Sequence, residues 1–327
     1  MRRRSRRGLP SVLTAVAACA LAAACGGTAS SGQADPSSSP PAPSSSPATS
    51  APAPSGGTAP PSGANPVVVA AGDISPRCTA DRCGARATSD LVLSIDPAAV
   101  LALGDLQYPA GALSDFRSYY DKTWGRFKGR TFPAPGNHEY ITEGAQGYFD
   151  YFGPAARREG RSYYSFDLGE WHLIALDSMA AHDPGSDQVA WLKADLAASR
   201  HRCVLAYWHH PRFSSGRQHG NDRSVSTFWK ALYAARAEVV LAGHEHNYER
   251  FEPLRPDGRP AQGGLRQFVV GSGGASHYAF GPAVPGSAFR NNTDFGVLRL
   301  VLGPQGYGWR FVNTDGVVLD SGTGGCH

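Results

Sequence analysis

Acidic residues and histidines follow short apolar runs at four points of the chain, a pattern that gathers polar side chains at strand ends. The runs and their sequels are Val67–Ala71 before Gly72-Asp73, Val100–Leu103 before Gly104-Asp105, Cys203–Trp208 before His209-His210, and Val239–Ala242 before Gly243-His244-Glu245-His246. Glycine lets the backbone turn sharply there, so that carboxylates and imidazoles can reach a shared point. Oxygen and imidazole donors without a thiolate suit Zn, Fe and Mn. These residues therefore predict a metal site.

The supply of donors exceeds the roughly four to six ligands that one such ion takes. Two ions that share a bridging carboxylate account for the excess most economically. All eleven histidines lie after residue 65, which also indicates metal or acid–base chemistry in that part of the chain.

The elements that must position these residues alternate between strands and helices. Besides the four runs above, His172–Leu176 is predicted as a strand. The predicted helices are Ala87–Ile95, Leu113–Thr123, Asp187–Ser199 and Val225–Ala235. The tail is predicted as antiparallel strands at Gln267–Val270, Gly296–Leu302, Gly308–Val312 and Val317–Leu319, because glycine and Asn/Asp turns separate them. The pattern indicates an α/β fold with a mixed sheet and two sheets packed face to face, and its polar residues stand where open α/β sheets bind ligands.

Five motifs in order resemble those of the calcineurin-like metallophosphoesterases. They are Asp73, Gly104-Asp105-Leu106-Gln107-Tyr108, Gly136-Asn137-His138-Glu139, His209-His210-Pro211 and Gly243-His244-Glu245-His246. The tyrosine of the second motif and the run from His244 to Arg250 resemble the purple acid phosphatase branch. The resemblance covers about Val67 to Val312. It implies a four-layer α-β-β-α sandwich of two mixed β-sheets.

The resemblance also implies two metal ions and assigns their ligands. The first ion, Fe(III), would be held by Asp73, Asp105, Tyr108 and His246. The second ion, Zn, Fe or Mn, would be held by Asp105, Asn137, His209 and His244, with Asp105 bridging. One departure from the pattern is Ser75, which replaces the glycine or the ligating histidine of the first motif. Serine is a poor metal ligand, so Tyr108 has to complete the first site.

The implied activity is metal-dependent hydrolysis of phosphate monoesters, with Asp105 and His138 as catalytic residues. His138, His210 and His219 are the expected substrate contacts. The alternatives are a phosphodiesterase or nucleotidase on the same metal centre and, from another class, a surface binding protein that does not catalyse. A binding protein would need a missing ligand, and Ser75 is the one residue out of pattern.

Residues 1–25 are predicted as an export signal, because a basic start precedes an apolar run too short to favour a membrane-spanning helix. Leu21-Ala22-Ala23-Ala24-Cys25 resembles a lipobox, with a lipid anchor on Cys25 as the only membrane contact; ordinary cleavage and free secretion are the alternative. Residues 26–65, rich in Ser, Pro and Ala, are predicted as a disordered linker, and residues 66–327 as the catalytic domain.

Without residues 1–65 the chain is formally neutral, although the whole carries a net charge of +4. The basic excess therefore belongs to the export signal, and no nucleic-acid scaffold binding is expected. Cys78, Cys83, Cys203 and Cys326 remain after the signal. In an exported protein they predict two disulfides with three possible connectivities. The pairing Cys78–Cys83 with Cys203–Cys326 is favoured; free buried thiols are the alternative.

Overall fold

The computed structural model describes residues 65–78 and 83–327. The predicted export signal, the lipidation residue Cys25 and nearly all of the 26–65 linker lie outside the described residues. Within the described ranges every helix is too short or too polar to cross a bilayer.

Thirteen strands and five α-helices are found in these residues. The strands are β1 Val67–Ala71, β2 Ala99–Leu103, β3 Thr131–Ala134, β4 Tyr164–Leu168, β5 Trp171–Ala175, β6 Cys203–Tyr207, β7 Val239–Ala242, β8 Tyr248–Leu254, β9 Leu265–Val270, β10 Ser287–Asn291, β11 Gly296–Gly303, β12 Gly306–Asn313 and β13 Val318–Gly325. The helices are α1 Gly84–Ile95, α2 Leu113–Asp115, α3 Gln146–Phe152, α4 Asp187–Ala198 and α5 Ser226–Ala234. Short 3₁₀ turns cover Trp124–Arg130, Glu139–Ile141, Glu143–Ala145 and Gly153–Ala155.

The strands form two mixed sheets. The first has six strands in the order β13-β12-β11-β1-β2-β3, and the second has seven in the order β10-β8-β9-β7-β6-β5-β4. Parallel pairing runs through β1, β2 and β3 in the first sheet, and through β5, β6, β7 and β9 in the second. The carboxyl ends of these parallel strands carry the predicted metal-binding motifs.

Side chains alternate across β6 and show how the layers pack. Leu205 and Tyr207 belong to the core that also contains the β1 and β2 side chains, so they fill the space between the sheets. Val204 and Ala206 point the other way and pack with apolar residues of α4 and α5. Both faces of the strand are therefore buried, as in a parallel sheet covered by helices. The expected α/β sandwich of two mixed sheets is confirmed.

Helix α4 shows how local sequence sets an element's start. The Ser186 hydroxyl accepts the main-chain N–H of Val189 at 3.4 Å, and Asp187 places a carboxylate in the first turn. Both features stabilise a helix N-terminus. Val189 and Leu192 then fall on the buried face.

The prediction of one continuous helix over Leu113–Thr123 is wrong beyond Asp115. The main-chain N–H of Tyr120 donates to the Oε1 atom of Gln107 at 3.1 Å, so it is unavailable to the carbonyl of Phe116. The N–H of Asp121 takes that carbonyl instead at 2.8 Å, which gives a π-helical turn over Phe116–Tyr120. A side chain inserted into the hydrogen-bond ladder thus changes the helix type.

The predicted strands are present: Val67–Ala71 and Val239–Ala242 have the predicted bounds, the others have shifted bounds, and one pairing differs. Gln267–Val270 is part of β9, which is antiparallel to β8 but parallel to β7. β13 extends to Gly325, because Gly322 and Gly324 leave room for the rings of Trp309 and Tyr307 on β12. β3, β4, β8 and β10 are absent from the sequence prediction.

Both disulfides have the favoured pairing. Cys78–Cys83 closes the segment between β1 and α1. Cys203–Cys326 joins the first residue of β6 to the penultimate residue of the chain, across a separation of 123 residues.

A buried histidine links the β4–β5 hairpin to α4. His172 Nδ1 lies 2.7 Å from Asp167 Oδ1, and His172 Nε2 lies 2.8 Å from Asp195 Oδ2. His201 Nε2 lies 3.3 Å from Oδ2 of the same Asp167 carboxylate. Burial alone would lower the pKa of His172, but the hydrogen bonds and charges of the two carboxylates outweigh it and raise that pKa above its ordinary value of 6.5. The folded protein therefore binds a proton here more tightly than the unfolded chain does.

This linkage predicts a pH-dependent stability that depends on His172. The contribution of protonated His172 to the free energy of unfolding should be complete below pH 6.5. It should be lost as pH rises through the raised pKa of the folded state. We expect the free-energy difference of unfolding between wild type and His172→Gln to be larger at pH 5.5 than at pH 8.5, by denaturant titration. A difference that is the same at both pH values would contradict this role.

Candidate metal centre

The predicted metal-binding residues meet where the carboxyl ends of the two sheets come together. Asp73, Asp105, His209 and His244 each stand two residues beyond the last residue of a parallel strand, namely β1, β2, β6 and β7. Asn137 stands three residues beyond β3. Neighbouring parallel strands end at the same edge of a sheet, so the residues that follow them are brought together.

Three of these residues have left-handed backbones. The φ angles are 57° at Asp73, 51° at Asp105 and 70° at His244. Such angles are uncommon for residues with a side chain, and they concentrate at functional sites. The glycines beside them allow close approach: a Cβ on Gly104 would lie 2.6 Å from His209 Nδ1, and one on Gly243 would lie 2.6 Å from Asp73 Oδ2.

One half of the site surrounds the phenol oxygen of Tyr108. This oxygen lies 3.0 Å from Asp73 Oδ1, 3.2 Å from Asp105 Oδ2 and 3.0 Å from His246 Nε2. A hydroxyl has one proton to donate, so it cannot satisfy both carboxylate oxygens at once. The surplus of lone pairs fits a bound cation.

The other half surrounds His209. Its Nδ1 lies 2.8 Å from the carbonyl oxygen of Leu103, which accepts only, so Nδ1 carries a proton. Its Nε2 lies 3.2 Å from Asp105 Oδ2 and 3.2 Å from His244 Nδ1. Asp105, His209 and His244 place their ligand atoms within 4.8 Å of one another. Asn137 Oδ1 is buried and has no hydrogen-bond partner, which is unusual for a buried amide oxygen.

The pKa values of Asp105 and three histidines of the site are shifted by burial and by neighbouring charges. Burial would raise the pKa of Asp105, but His209 outweighs burial and holds that pKa below its ordinary value. Burial would lower the pKa of His209, but Asp105 outweighs it and raises the pKa to about 9. Burial, reinforced by His209, lowers the pKa of His210 to about 4 and that of His244 well below its ordinary value. Two neutral imidazoles thus lie beside an ionised carboxylate.

The residues present fit metal ions. The unpartnered Asn137 Oδ1 and a converging set of carboxylate, phenol, amide and imidazole donors are what Zn, Fe or Mn would satisfy. The seven predicted ligands are all at this edge of the sheets: Asp73, Asp105, Tyr108, Asn137, His209, His244 and His246.

Glu139 positions the loop of Asp105, a role that the sequence reasoning missed. Its side chain is fully buried and accepts four main-chain N–H groups, those of Asp105, Leu106, Gln107 and Gly136, at 2.8–3.2 Å. It therefore joins the loops that follow β2 and β3. The available signal was its place directly after Asn137-His138.

The three expected substrate contacts, His138, His210 and His219, lie next to the predicted metal ligands. The main-chain N–H of His138 donates to Asp105 Oδ1 at 2.8 Å, and its ring Nδ1 lies 2.6 Å from the carbonyl of Pro109. The His210 ring is 4.3 Å from His244, with Nδ1 2.8 Å from the Ser178 hydroxyl. The exposed His219 ring is 4.0 Å from His244. The structure thus brings all three to the site.

Ser75 lies outside the ligand contacts, whereas two residues that the sequence reasoning did not select contact a predicted ligand. The Ser75 hydroxyl bonds the carbonyl of Pro76 at 3.4 Å and contacts no predicted ligand. Sequence reasoning missed Ser276 and Tyr278, which both contact His246. The glycines at 273 and 274 were the only signal for that loop.

A Glu139→Gln substitution should destabilise the loop. The amide nitrogen cannot accept a hydrogen bond, so two of the four N–H groups lose their acceptor, at a cost of about 1–3 kcal/mol each. Denaturant titration should show a lower free energy of unfolding, and metal analysis should show a lower metal content. Glu143→Gln, at an exposed carboxylate four residues on, is the matched control and should change neither. Equal stability of the Glu139 variant and wild type would refute the role.

The family model described as calcineurin-like phosphoesterase matches residues 66–248, more than half of the chain. The chain is 36% identical over 97 residues to purple acid phosphatase 21 of Arabidopsis thaliana, covering 28% of this chain and 22% of that protein. It is 29% identical over 204 residues to purple acid phosphatase 23 of Arabidopsis thaliana, covering 51% of this chain and 44% of that protein. The chain thus spans less than half the length of these relatives.

The fold is similar to that of a purple acid phosphatase isolated from yellow lupin (Lupinus luteus) seeds. The TM-score is 0.67 at 21% sequence identity, and the match covers 79% of this chain and 53% of that chain. At this identity the likeness concerns the fold alone.

Proposed function

Because the chain belongs to the calcineurin-like phosphoesterase family, we propose that it is a phosphatase that hydrolyses phosphate monoesters at a two-metal centre. The observation that carries the proposal is the convergence of phenol and imidazole ligand atoms on the Asp105 carboxylate, with the buried Asn137 Oδ1 left without a hydrogen-bond partner. The purple acid phosphatase relatives support this branch of the family.

The ligand sets follow the two halves of the site. Asp73, Asp105, Tyr108 and His246 would hold the first ion, and a phenolate donor favours Fe(III) there. Asp105, Asn137, His209 and His244 would hold the second ion, which is Zn, Fe or Mn. When bound, the ions supply Lewis acidity, which lowers the pKa of water and neutralises charge on phosphoryl oxygens.

His138 is proposed as the catalytic acid and as a substrate contact. The Pro109 carbonyl accepts from its Nδ1, so the ring is held with Nε2 toward the site, 3.8 Å from Asp105 Oδ2. With both ring nitrogens protonated, Nε2–H can donate to a phosphoryl oxygen or protonate the leaving oxygen. Asp105 acts by holding both halves of the centre together. His210 and His219, whose rings lie 4.3 and 4.0 Å from that of His244, are the proposed contacts of the phosphoryl group.

We propose that the protein acts outside the cell. Two disulfides support an oxidising compartment. An export signal at residues 1–25 and a lipid on Cys25 would hold the domain at the cell surface; cleavage elsewhere in the signal would release it.

A phosphodiesterase or nucleotidase on the same centre remains the alternative within enzymes. The metal ligands determine where the phosphorus atom binds, whereas the residues around the metal centre determine which leaving group is accepted. A non-catalytic surface binding protein would need an incomplete centre, and the described residues include every expected ligand.

The direct test measures metals and turnover on the full chain. About two metal ions per chain, with chelator-sensitive hydrolysis of an aryl phosphate monoester faster than that of the matching diester, are expected. Faster diester hydrolysis would retain the centre and change the substrate class. Metal binding without turnover on either ester would favour a binding role, and folded protein that binds no metal would refute the centre.

Replacement of His138 by Asn should separate catalysis from metal binding. We expect kcat for the monoester to fall by about 10²–10⁴-fold, because proton donation is lost, with metal content unchanged. His201→Asn is the matched control: His201 precedes β6 at the opposite end of the strand from His209, so kcat should not change. Full activity of the His138 variant would exclude it as the acid.

A further inference from the structure

The loop from Gly273 to Tyr278 lies directly against one half of the metal centre. The N–H of Gly273 donates to the carbonyl of Gly72 at 3.0 Å, and the N–H of Ala275 donates to that of Asp73 at 2.9 Å. The N–H of Tyr278 donates to the carbonyl of His246 at 3.0 Å. One loop therefore joins the backbones of Asp73 and His246.

The glycine at the start of the loop makes this close approach possible. A Cβ on Gly273 would collide with the carbonyl oxygen of Gly72, and the Gly274 φ of 147° is open only to glycine. The run Gly273-Gly274 is thus explained by contact with β1 and its sequel.

The loop also contacts the His246 side chain on two sides. The Ser276 hydroxyl lies 2.7 Å from His246 Nδ1. The Tyr278 ring stacks on the imidazole with centroids 3.9 Å apart and planes 8° apart. The remaining nitrogen, Nε2, lies 3.0 Å from the Tyr108 phenol oxygen and 3.3 Å from Asp73 Oδ1.

We propose that Ser276 is a positioning residue that fixes the ring orientation and tautomer of His246 for the first metal ion, with Tyr278 holding the ring plane. Nδ1–H donates to the Ser276 hydroxyl, so the lone pair of Nε2 is directed at Tyr108 and Asp73. Hydrogen-bond partners of this kind typically change metal affinity about 10–100-fold. The inference rests on the proposed two-metal function and adds a residue that no predicted ligand set includes.

The test loads the full chain with iron and zinc, so that the two ions can be counted separately. The loaded chain is titrated with a chelator, and the iron and zinc retained per chain are measured. Ser276→Ala should release the first ion at about 10–100-fold lower chelator concentration. The second ion should be retained as in wild type, because Ser276 contacts none of Asn137, His209 and His244. Ser276 is exposed, so the substitution leaves no cavity.

Two further variants distinguish positioning from general damage. Ser276→Thr restores the hydroxyl and should restore retention. Ser272→Ala removes a buried hydroxyl of the preceding segment, which bonds the Gly296 carbonyl at 3.0 Å, and should leave both ions in place. A Ser276→Ala curve that superimposes on wild type, or equal loss of both ions, would overturn the inference. A wild-type chain that retains no metal would instead overturn the two-metal function itself.

Discussion

The carboxylate of Asp105 is the point on which the two halves of the site depend. Its Oδ2 lies 3.2 Å from the Tyr108 phenol and 3.2 Å from His209 Nε2, and its Oδ1 accepts the main-chain N–H of His138 at 2.8 Å. The residue is only 2% exposed. A buried carboxylate is costly unless charge and hydrogen bonds compensate it. The fold therefore has to surround this group with donors, imidazoles and cations.

The backbone that places Asp105 is strained, and neighbouring loops stabilise it. The N–H of Asp73 donates to the Gly104 carbonyl at 3.0 Å, and that of Ile74 donates to the Asp105 carbonyl at 2.9 Å. The two left-handed turns thus support each other. The carboxylate of Glu139 accepts the main-chain N–H groups of Asp105 and Leu106 and so holds the second turn. Left-handed residues cost about 1–2 kcal/mol each, and this network offsets that cost.

The histidines of the chain divide into two groups with different physical roles. His209 Nε2 lies 3.2 Å from both Asp105 Oδ2 and His244 Nδ1, so these two histidines contribute imidazole nitrogens to the proposed metal centre. His172 has carboxylates on both nitrogens instead, so a proton is the cation that satisfies it. The same side chain thus supplies ligand atoms to the proposed centre at the carboxyl ends of the strands and a link between two carboxylates elsewhere.

Local sequence patterns were sufficient to predict strands β1, β2, β6 and β7, which precede Asp73, Asp105, His209 and His244. The seven predicted ligands came from the resemblance of the five ordered motifs to a known family. Neither the patterns nor the resemblance determined which loops support those ligands. Glu139 and Ser276 act across 34 and 30 residues on Asp105 and His246, and such contacts leave no local pattern. The π-helical turn at Phe116 has the same cause, since Gln107 reaches it from another loop. Local propensity and spacing are set by neighbouring residues, whereas these hydrogen bonds exist only once the two sheets have brought distant loops together.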